Sequence, residues 1–227
     1  MENIPIYISF VFVLTTALTF FLFVNATNLS KFLIGGFIIW LALQASLAYF
    51  GFYLGVSSNP FKFLLAAPPA LILILSVFIS KKGRTWVQTL SLKKMTLIHM
   101  VRIPVELTLY WLFIYKMVPE LMTFSGRNFD ILAGITAPII YYLAFYKKVI
   151  GRKGLLVWNI VCLLLLLNII VNAILSAPIP IQQFAFEQPN LAILHFPVIW
   201  LPTFVVPIAL FSHFVAISKL LKTKTSF

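Results

Sequence analysis

The chain of 227 residues is 62% apolar and only 10% charged, with a mean hydropathy of +1.04. These values lie far outside the range of water-soluble domains, so a soluble enzyme or soluble binding module is excluded as a class. The net charge of +12 comes from 17 basic and five acidic residues. Because the basic residues are spread over several short segments, no nucleic-acid partner is expected.

Seven apolar runs follow one another along the chain, each close to the ~20 residues that an α-helix needs to cross a bilayer. The runs are continuously apolar, whereas the strands of a membrane barrel would alternate polar and apolar residues. The sequence therefore predicts an all-α membrane protein, a bundle of seven transmembrane helices that forms one domain over residues 1–227. The predicted spans are 4–25, 32–55, 61–80, 96–118, 130–147, 154–177 and 196–220.

The distribution of basic residues predicts the orientation of this bundle. Thirteen of them fall on one side of the predicted spans, against Lys62, Lys116 and Arg127 on the other. The positive-inside rule then predicts an outside N-terminus and a cytosolic C-terminus, in the cell (inner) membrane. The same residues predict that the protein contacts the lipid bilayer and the anionic lipid headgroups on its cytosolic face. The sequence leaves open whether there is a protein partner.

The fourth run carries three polar residues, His99, Arg102 and Glu106. A helix turns 100° per residue, so these side chains share one stripe. A charged side chain near the centre of a span costs ~2.5–3.5 kcal/mol on insertion scales, and a shared polar interior is the expected compensation. The alternative is that Arg102 and Glu106, four residues apart, form an ion pair with a purely structural role.

Further polar residues are predicted to reach the same cytosolic half of the bundle. Pro104 lacks a backbone N–H and leaves a carbonyl without its usual partner, which a membrane tolerates only where protein or water covers it. We therefore predict a cytosol-facing pocket in which a small-molecule ligand could bind. Its candidate ligand-binding residues are His99, Arg102, Glu106, Tyr142, Asn159 and His213.

A second polar group is predicted at the outer ends of the runs. Asp130 directly precedes the fifth run, where a carboxylate suits a helix N-cap, so capping is its expected role. The alternative interpretation is an outer mouth that admits an anion or another substrate. The residues of that mouth would be Arg127, Asn128, Asp130 and His195.

Three functions remain compatible with the sequence. The leading prediction is binding or transport of a small polar, anionic solute, in which Arg102 binds the charge while Glu106 and His213 change protonation. The second is an intramembrane, metal-dependent hydrolase acting on a lipid, with His99, His213 and Glu106 as weak candidate metal ligands. The third is a non-catalytic assembly or interaction subunit. No cofactor is predicted, and the sequence does not decide whether the protein is an enzyme.

Overall fold

The computed structural model describes residues 4–56 and 58–222, and within these ranges the chain contains helices and no strand. Helices α1 to α9 are Ile6–Thr27, Lys31–Tyr49, Ala67–Ile79, Lys81–Thr89, Leu92–Ile98, Arg102–Ile114, Ile131–Phe145, Arg152–Leu175 and Val206–Lys222. A 3₁₀ turn, His99–Val101, joins α5 to α6, and a π turn, Leu201–Val205, leads into α9.

Five helical segments are long and apolar enough to cross a membrane: Ile6–Thr27, Lys31–Tyr49, Leu92–Ile114, Arg152–Leu175 and Leu201–Lys222. The prediction of an all-α protein is confirmed at this level. The expected spans 61–80 and 130–147 contain shorter apolar helices, α3 with 13 residues and α7 with 15. At a rise of ~1.5 Å per residue these helices are ~20 and ~22 Å long, less than the ~30 Å hydrocarbon core.

Prolines account for the late start of α3. Pro68 and Pro69 stand in its first turn, where a residue without a backbone N–H is tolerated. The preceding residues Pro60–Leu65 form a 3₁₀ helix instead, and the side chain of Asn59 accepts a hydrogen bond from the Phe61 amide at 3.2 Å. The apolar run is therefore continuous in sequence but not in helical conformation.

The connection before α7 folds back on itself. The backbone amides of Gly126 and Asn128 both donate to the carbonyl of Thr123, at 3.0 and 3.2 Å. These turns hold the chain in a compact loop until α7 begins at Ile131. Met122 and Asn128 are buried in this loop, so protein covers its irregular backbone.

Helix α9 occupies the centre of the bundle and is the most buried of the five candidate spans. It packs against α5 and α8, and its apolar side chains share one core with those of α1, α5 and α6. Pro207 cannot donate to the carbonyl of Thr203 four residues earlier, and the indole Nε1 of Trp40 donates to that carbonyl instead at 3.0 Å. The π turn is thus tied to α2.

Candidate functional site

Seven buried polar side chains lie together where α5, α6, α7, α8 and α9 meet, each no more than 4% exposed. Such burial is costly for polar and charged groups unless they are paired with one another. We call this group the polar network; its members are His99, Arg102, Glu106, Asn128, Asp130, Asn159 and His213.

Arg102 is the centre of the polar network. Its Nη1 donates to Oδ1 of Asp130 at 2.9 Å and to the backbone carbonyl of Cys162 at 3.3 Å. Its Nη2 lies 3.0 Å from Nε2 of His213. One guanidinium therefore joins α6 to the start of α7, the middle of α8 and the middle of α9.

The local break in the helix fixes the position of Arg102. The backbone N–H of Arg102 bonds to the carbonyl of His99 three residues earlier, which is the tighter 3₁₀ pattern, and it also contacts the carbonyl of Met100. Pro104 follows two residues later and cannot donate to Met100. The N–H of Arg102 thus gives the Met100 carbonyl a contact that the residue four positions later cannot supply.

Asn159 determines the tautomer of His213. The Asn159 amide nitrogen donates to the Leu155 carbonyl at 2.9 Å, so the amide oxygen is the atom that lies 3.0 Å from Nδ1 of His213. Since that oxygen can only accept, Nδ1 carries a proton and donates. Nε2 is then the acceptor for the Arg102 guanidinium, and the imidazole is neutral in this arrangement.

Asn128 joins the second carboxyl group to the network. Its amide nitrogen donates to Oε2 of Glu106 at 2.6 Å and to the Met122 carbonyl at 2.9 Å. Its amide oxygen accepts from the backbone N–H of Asp130 at 3.0 Å. Glu106 and Asp130 are therefore linked through a single amide side chain.

His99 is the least satisfied member of the polar network. Its ring stacks on that of His213 with centroids 3.9 Å apart and lies 5.7 Å from the ring of Trp158. Neither ring nitrogen of His99 has a hydrogen-bond partner in the described part of the chain, and the same holds for Nε of Arg102. Buried polar atoms without partners are rare in native structures, and an ordered water or a bound group is a common explanation for them.

Two expectations about the charged residues need correction. Arg102 forms its ion pair with Asp130 and not with Glu106, whose Oε2 accepts from Asn128. Asp130 stands at the N-cap position of α7 but makes no capping hydrogen bond with its side chain, because its carboxylate points to Arg102. The two polar groups that we expected at different depths are therefore one network.

Three of the candidate residues lie outside the polar network. Tyr142 is 49% exposed and lies beside Lys147, whose Nζ is 5.9 Å from the ring centroid. Arg127 is exposed over the ring of Phe184, and His195 is partly buried near the end of a surface connection. An outer mouth formed by four side chains is therefore not assembled, since Asn128 and Asp130 turn inward.

Sequence reasoning missed several contacts of the site. The Cys162 carbonyl gives no signal in a sequence because every residue has one. Trp158 is adjacent to Asn159 and so could have been placed near the site, but its edge-to-face contact with His99 depends on how the 3₁₀ turn His99–Val101 packs against α8. Within residues 4–56 and 58–222, no three His, Cys, Asp or Glu side chains form a group that could hold a metal ion.

Gly134 allows α7 to approach Arg102 closely. A Cβ atom at this position would lie 2.9 Å from the backbone nitrogen of Ile103 and 3.2 Å from Cβ of Arg102. Only a residue without a side chain fits this separation. The short distance between α7 and the start of α6 is what lets Asp130 reach the guanidinium.

The model of the family described as "Domain of unknown function (DUF8737)" matches residues 60–221. This is more than half of the chain, and the protein therefore belongs to that family. The matched region contains every member of the polar network. No curated protein and no solved structure matches the chain.

Proposed function

We propose that this member of the family binds a small anionic solute at Arg102 and couples the binding, or the transport, of that solute to proton uptake by the polar network. The observation that carries the proposal is the buried ion pair of Arg102 and Asp130 with a neutral histidine on the far side of the guanidinium.

The cost of burying Arg102 favours a functional role. Removing a charged pair from water costs several kcal/mol per ion, and well-packed apolar side chains of similar volume often stabilise a protein as well or better. Ionisable residues inside candidate spans are for this reason functional-site hypotheses by default. Arg102 is also a suitable anion ligand, because the guanidinium presents several N–H donors that match a carboxylate or a phosphate.

Charge balance supplies the coupling to protons. An anion that approached Arg102 while Asp130 stayed ionised would add a second negative charge beside one positive charge in a medium of low dielectric constant. Protonation of Asp130 removes that excess and releases the guanidinium from its ion pair. We therefore expect one proton to be taken up for each negative charge that binds, with Glu106 as the neighbouring carboxyl group.

The unpartnered atoms indicate which groups would contact the anion besides the Arg102 nitrogens already in use. Nε of Arg102 and the two ring nitrogens of His99 have no hydrogen-bond partner among the described residues. His99 stacks on His213, which itself contacts Arg102. Nε of Arg102 is a donor, and one of the two His99 ring nitrogens donates when the ring is neutral. The two side chains are close together, and their N–H groups could contact one small anion.

The proposal includes a topology of seven crossings with the N-terminus outside, in the cell membrane. In this arrangement the 3₁₀ helix Pro60–Leu65 completes the third crossing and the loop before α7 completes the fifth, since α3 and α7 are too short alone. The buried Asn128 supports it, because two of its hydrogen bonds satisfy loop groups that lipid could not satisfy, the Met122 carbonyl and the Asp130 N–H. The excess of basic residues on one side supports the orientation.

The polar network is closed in this structure, so access requires helices to move apart. Among the described residues, the helices that carry the network are interrupted at three places, and movement there needs the least disruption. They are the 3₁₀ turn His99–Val101, the proline Pro138 inside α7 and the π turn Leu201–Val205.

The test uses the full chain reconstituted in phospholipid vesicles. Radiolabelled acetate, lactate and inorganic phosphate serve as probes, and an internal pH-sensitive dye reports proton movement. We expect one of these anions to enter with protons in the wild type, and Arg102→Gln to abolish both signals. Arg127→Gln removes an exposed cation of the neighbouring loop and should leave both signals unchanged. Transport by Arg102→Gln at the wild-type rate would refute the proposal.

A non-catalytic assembly subunit is the second candidate. It is favoured by the way in which Arg102 ties four helices together through contacts within the chain. If the network only stabilises the bundle, a variant with Arg102→Met and Asp130→Leu should still fold and should co-purify with the same stoichiometric partner as the wild type. The metal-dependent hydrolase stays an expectation of the sequence, and elemental analysis of the purified protein tests it.

A further inference from the structure

A second feature of the bundle is an apolar groove of about 540 Å³ between α2, α3 and the chain around the π turn. Phe211 of α9 lines this groove, whereas His213, two residues later, belongs to the polar network. Residues two apart on a helix point in nearly opposite directions. The groove therefore lies on the other side of α9 from the network. Its walls include Gly36, Phe37, Ala70, Leu73, Phe204 and Phe211.

The groove faces the part of the bundle that has the least protein cover. Helix α2 is the least buried of the five candidate spans. Its apolar side chains Ile38, Ile39 and Leu43 are exposed, and so are Leu71 and Ile72 of α3. Large apolar side chains on the outside of a membrane helix are in contact with lipid chains. A groove between these two helices is thus accessible from the hydrocarbon region.

One end of the groove is closed by an aromatic pair beside a cluster of positive charge. Trp86 of α4 lines the groove and stacks on Phe211 with ring centroids 5.9 Å apart. The exposed basic side chains at this end come from α4 and from the first residue of α2. We call them the basic end; they are Lys31, Lys81, Lys82 and Arg84.

We propose that the groove is a binding site for one anionic phospholipid, whose acyl chain lies along the apolar walls and whose phosphate contacts the basic end. Charge complementarity selects this occupant, because basic residues beside a membrane helix attract anionic headgroups. The almost wholly apolar walls of the groove suit a hydrocarbon chain. The proposal is independent of anion binding at Arg102, and either could fail without the other.

Two adjacent glycines of α2 provide a matched pair of variants. A Cβ atom added at Gly35 or at Gly36 meets no atom within 4 Å, so neither position is sterically closed. Gly36 lines the groove and Gly35 does not. Gly36→Leu therefore places a side chain where the acyl chain would lie, while Gly35→Leu makes the same chemical change away from it.

The experiment measures lipid retention by native mass spectrometry. The full chain is reconstituted in vesicles of phosphatidylethanolamine and phosphatidylglycerol in equal amounts, extracted in mild detergent and analysed together with the two leucine variants. We expect one phosphatidylglycerol per chain on the wild type and on Gly35→Leu. Obstruction of the groove should reduce retention by Gly36→Leu about tenfold, because the acyl chain loses burial of a few methylene groups.

A second pair of variants tests the headgroup contact. The combined change Lys81→Gln, Lys82→Gln and Arg84→Gln should remove the preference for phosphatidylglycerol over phosphatidylethanolamine. Lys147→Gln with Lys148→Gln removes exposed charges from the segment after α7 and should leave the preference intact. If Gly36→Leu does not accumulate as folded protein, Ala70→Leu obstructs the groove from the opposite wall.

Several outcomes would overturn the proposal. Equal retention by the two leucine variants would place the lipid outside the groove. Equal retention of the zwitterionic and anionic lipids by the wild type would remove the headgroup contact. A dimer without lipid would show that a second copy of the chain covers the groove. If the wild type retained no lipid but showed anion-coupled proton uptake, this proposal would be overturned and the function at Arg102 would stand.

Discussion

The guanidinium of Arg102 and the carboxylate of Asp130 lie 2.9 Å apart although 28 residues separate them in the chain. Asp130 occupies the N-cap position of α7 without capping it, so the carboxylate is available for this long-range contact. The ion pair joins the first turn of α6 to the first turn of α7. Removing this ion pair also distinguishes a polar network that functions in binding from one that only stabilises the bundle.

Removing only one partner of this pair should destabilise the protein strongly. Asp130→Leu leaves the positive charge of Arg102 buried without its anion, and we expect a loss of ~3–5 kcal/mol in the free energy of unfolding. Arg102→Met combined with Asp130→Leu removes both charges and keeps similar volumes, so most of the loss should be recovered. Denaturant unfolding in detergent micelles measures both changes.

The control for these variants is Arg127→Gln, an exposed cation of the same connection. This substitution should change the free energy of unfolding by no more than ~0.5 kcal/mol. Equal destabilisation by the single and the double variant would show that Arg102 and Asp130 are not energetically coupled.

The tautomer of His213 is directly measurable. We expect nitrogen NMR of protein labelled at histidine to show one neutral ring with a protonated Nδ1 and an unprotonated Nε2. His213→Phe assigns that signal among the three histidines of the chain. Asn159→Leu removes the acceptor of the Nδ1 proton, so the ring should lose its fixed tautomer and the free energy of unfolding should fall by ~1–3 kcal/mol. A signal protonated at Nε2 would contradict the arrangement.

Gly134→Ala tests the close approach of α7. The added Cβ would lie 2.9 Å from the Ile103 backbone nitrogen, so α7 has to move away from α6. We expect the free energy of unfolding to fall by ~1–3 kcal/mol, as it does when other protein interiors are overpacked. Gly35→Ala is the control, since its Cβ meets no atom within 4 Å. Replacing a helical glycine by alanine, where no atom crowds the new Cβ, should raise the free energy of unfolding by up to ~1 kcal/mol. Thermal unfolding of the two variants should therefore shift in opposite directions.

His195 should make the protein less stable in acid. Burial lowers the pKa of its imidazole below the usual value. The unfolded chain then takes up a proton at a higher pH, near ~6.5, than the folded chain does. The contribution of His195 to the free energy of unfolding is therefore constant above that pH. It falls as the pH drops toward the lower pKa that His195 has in the folded protein. His195→Gln should reduce this acid dependence, measured as the denaturant midpoint at a series of pH values. An unchanged dependence would show that another group causes it.

The sequence predicts the helices of this protein better than it predicts where they end. Continuous apolar runs are sufficient to indicate helices in a membrane protein. The start of α3 lies six residues later than the start of its predicted span, because run length was taken as helix length, whereas α7 differs from its predicted span by at most two residues at either end. Pro68 and Pro69 confine α3 to the second part of its run, and the turns around Thr123 keep the chain irregular up to Asp130.

The polar network was predictable in part. The stripe of His99, Arg102 and Glu106 follows from helical periodicity alone. The identity of Asp130 as the partner of Arg102 does not follow from periodicity. The depth of each residue in the membrane was estimated as if every helix began at the membrane surface, which placed the two residues far apart. Asp130 reaches Arg102 because α7 is short and because Gly134 lets it come close. Both reasons depend on the packing of two helices, which no local pattern in the sequence contains.

Phe211 and His213 have a joint consequence for α9. Phe211 lines the apolar groove on one side of α9, and His213 contacts the Arg102 guanidinium on the opposite side. A rotation of α9 that withdrew the imidazole would also displace the phenyl ring. Hydrocarbon lodged against that ring would resist the rotation, so the composition of the surrounding bilayer could set how readily the buried charges exchange their partners.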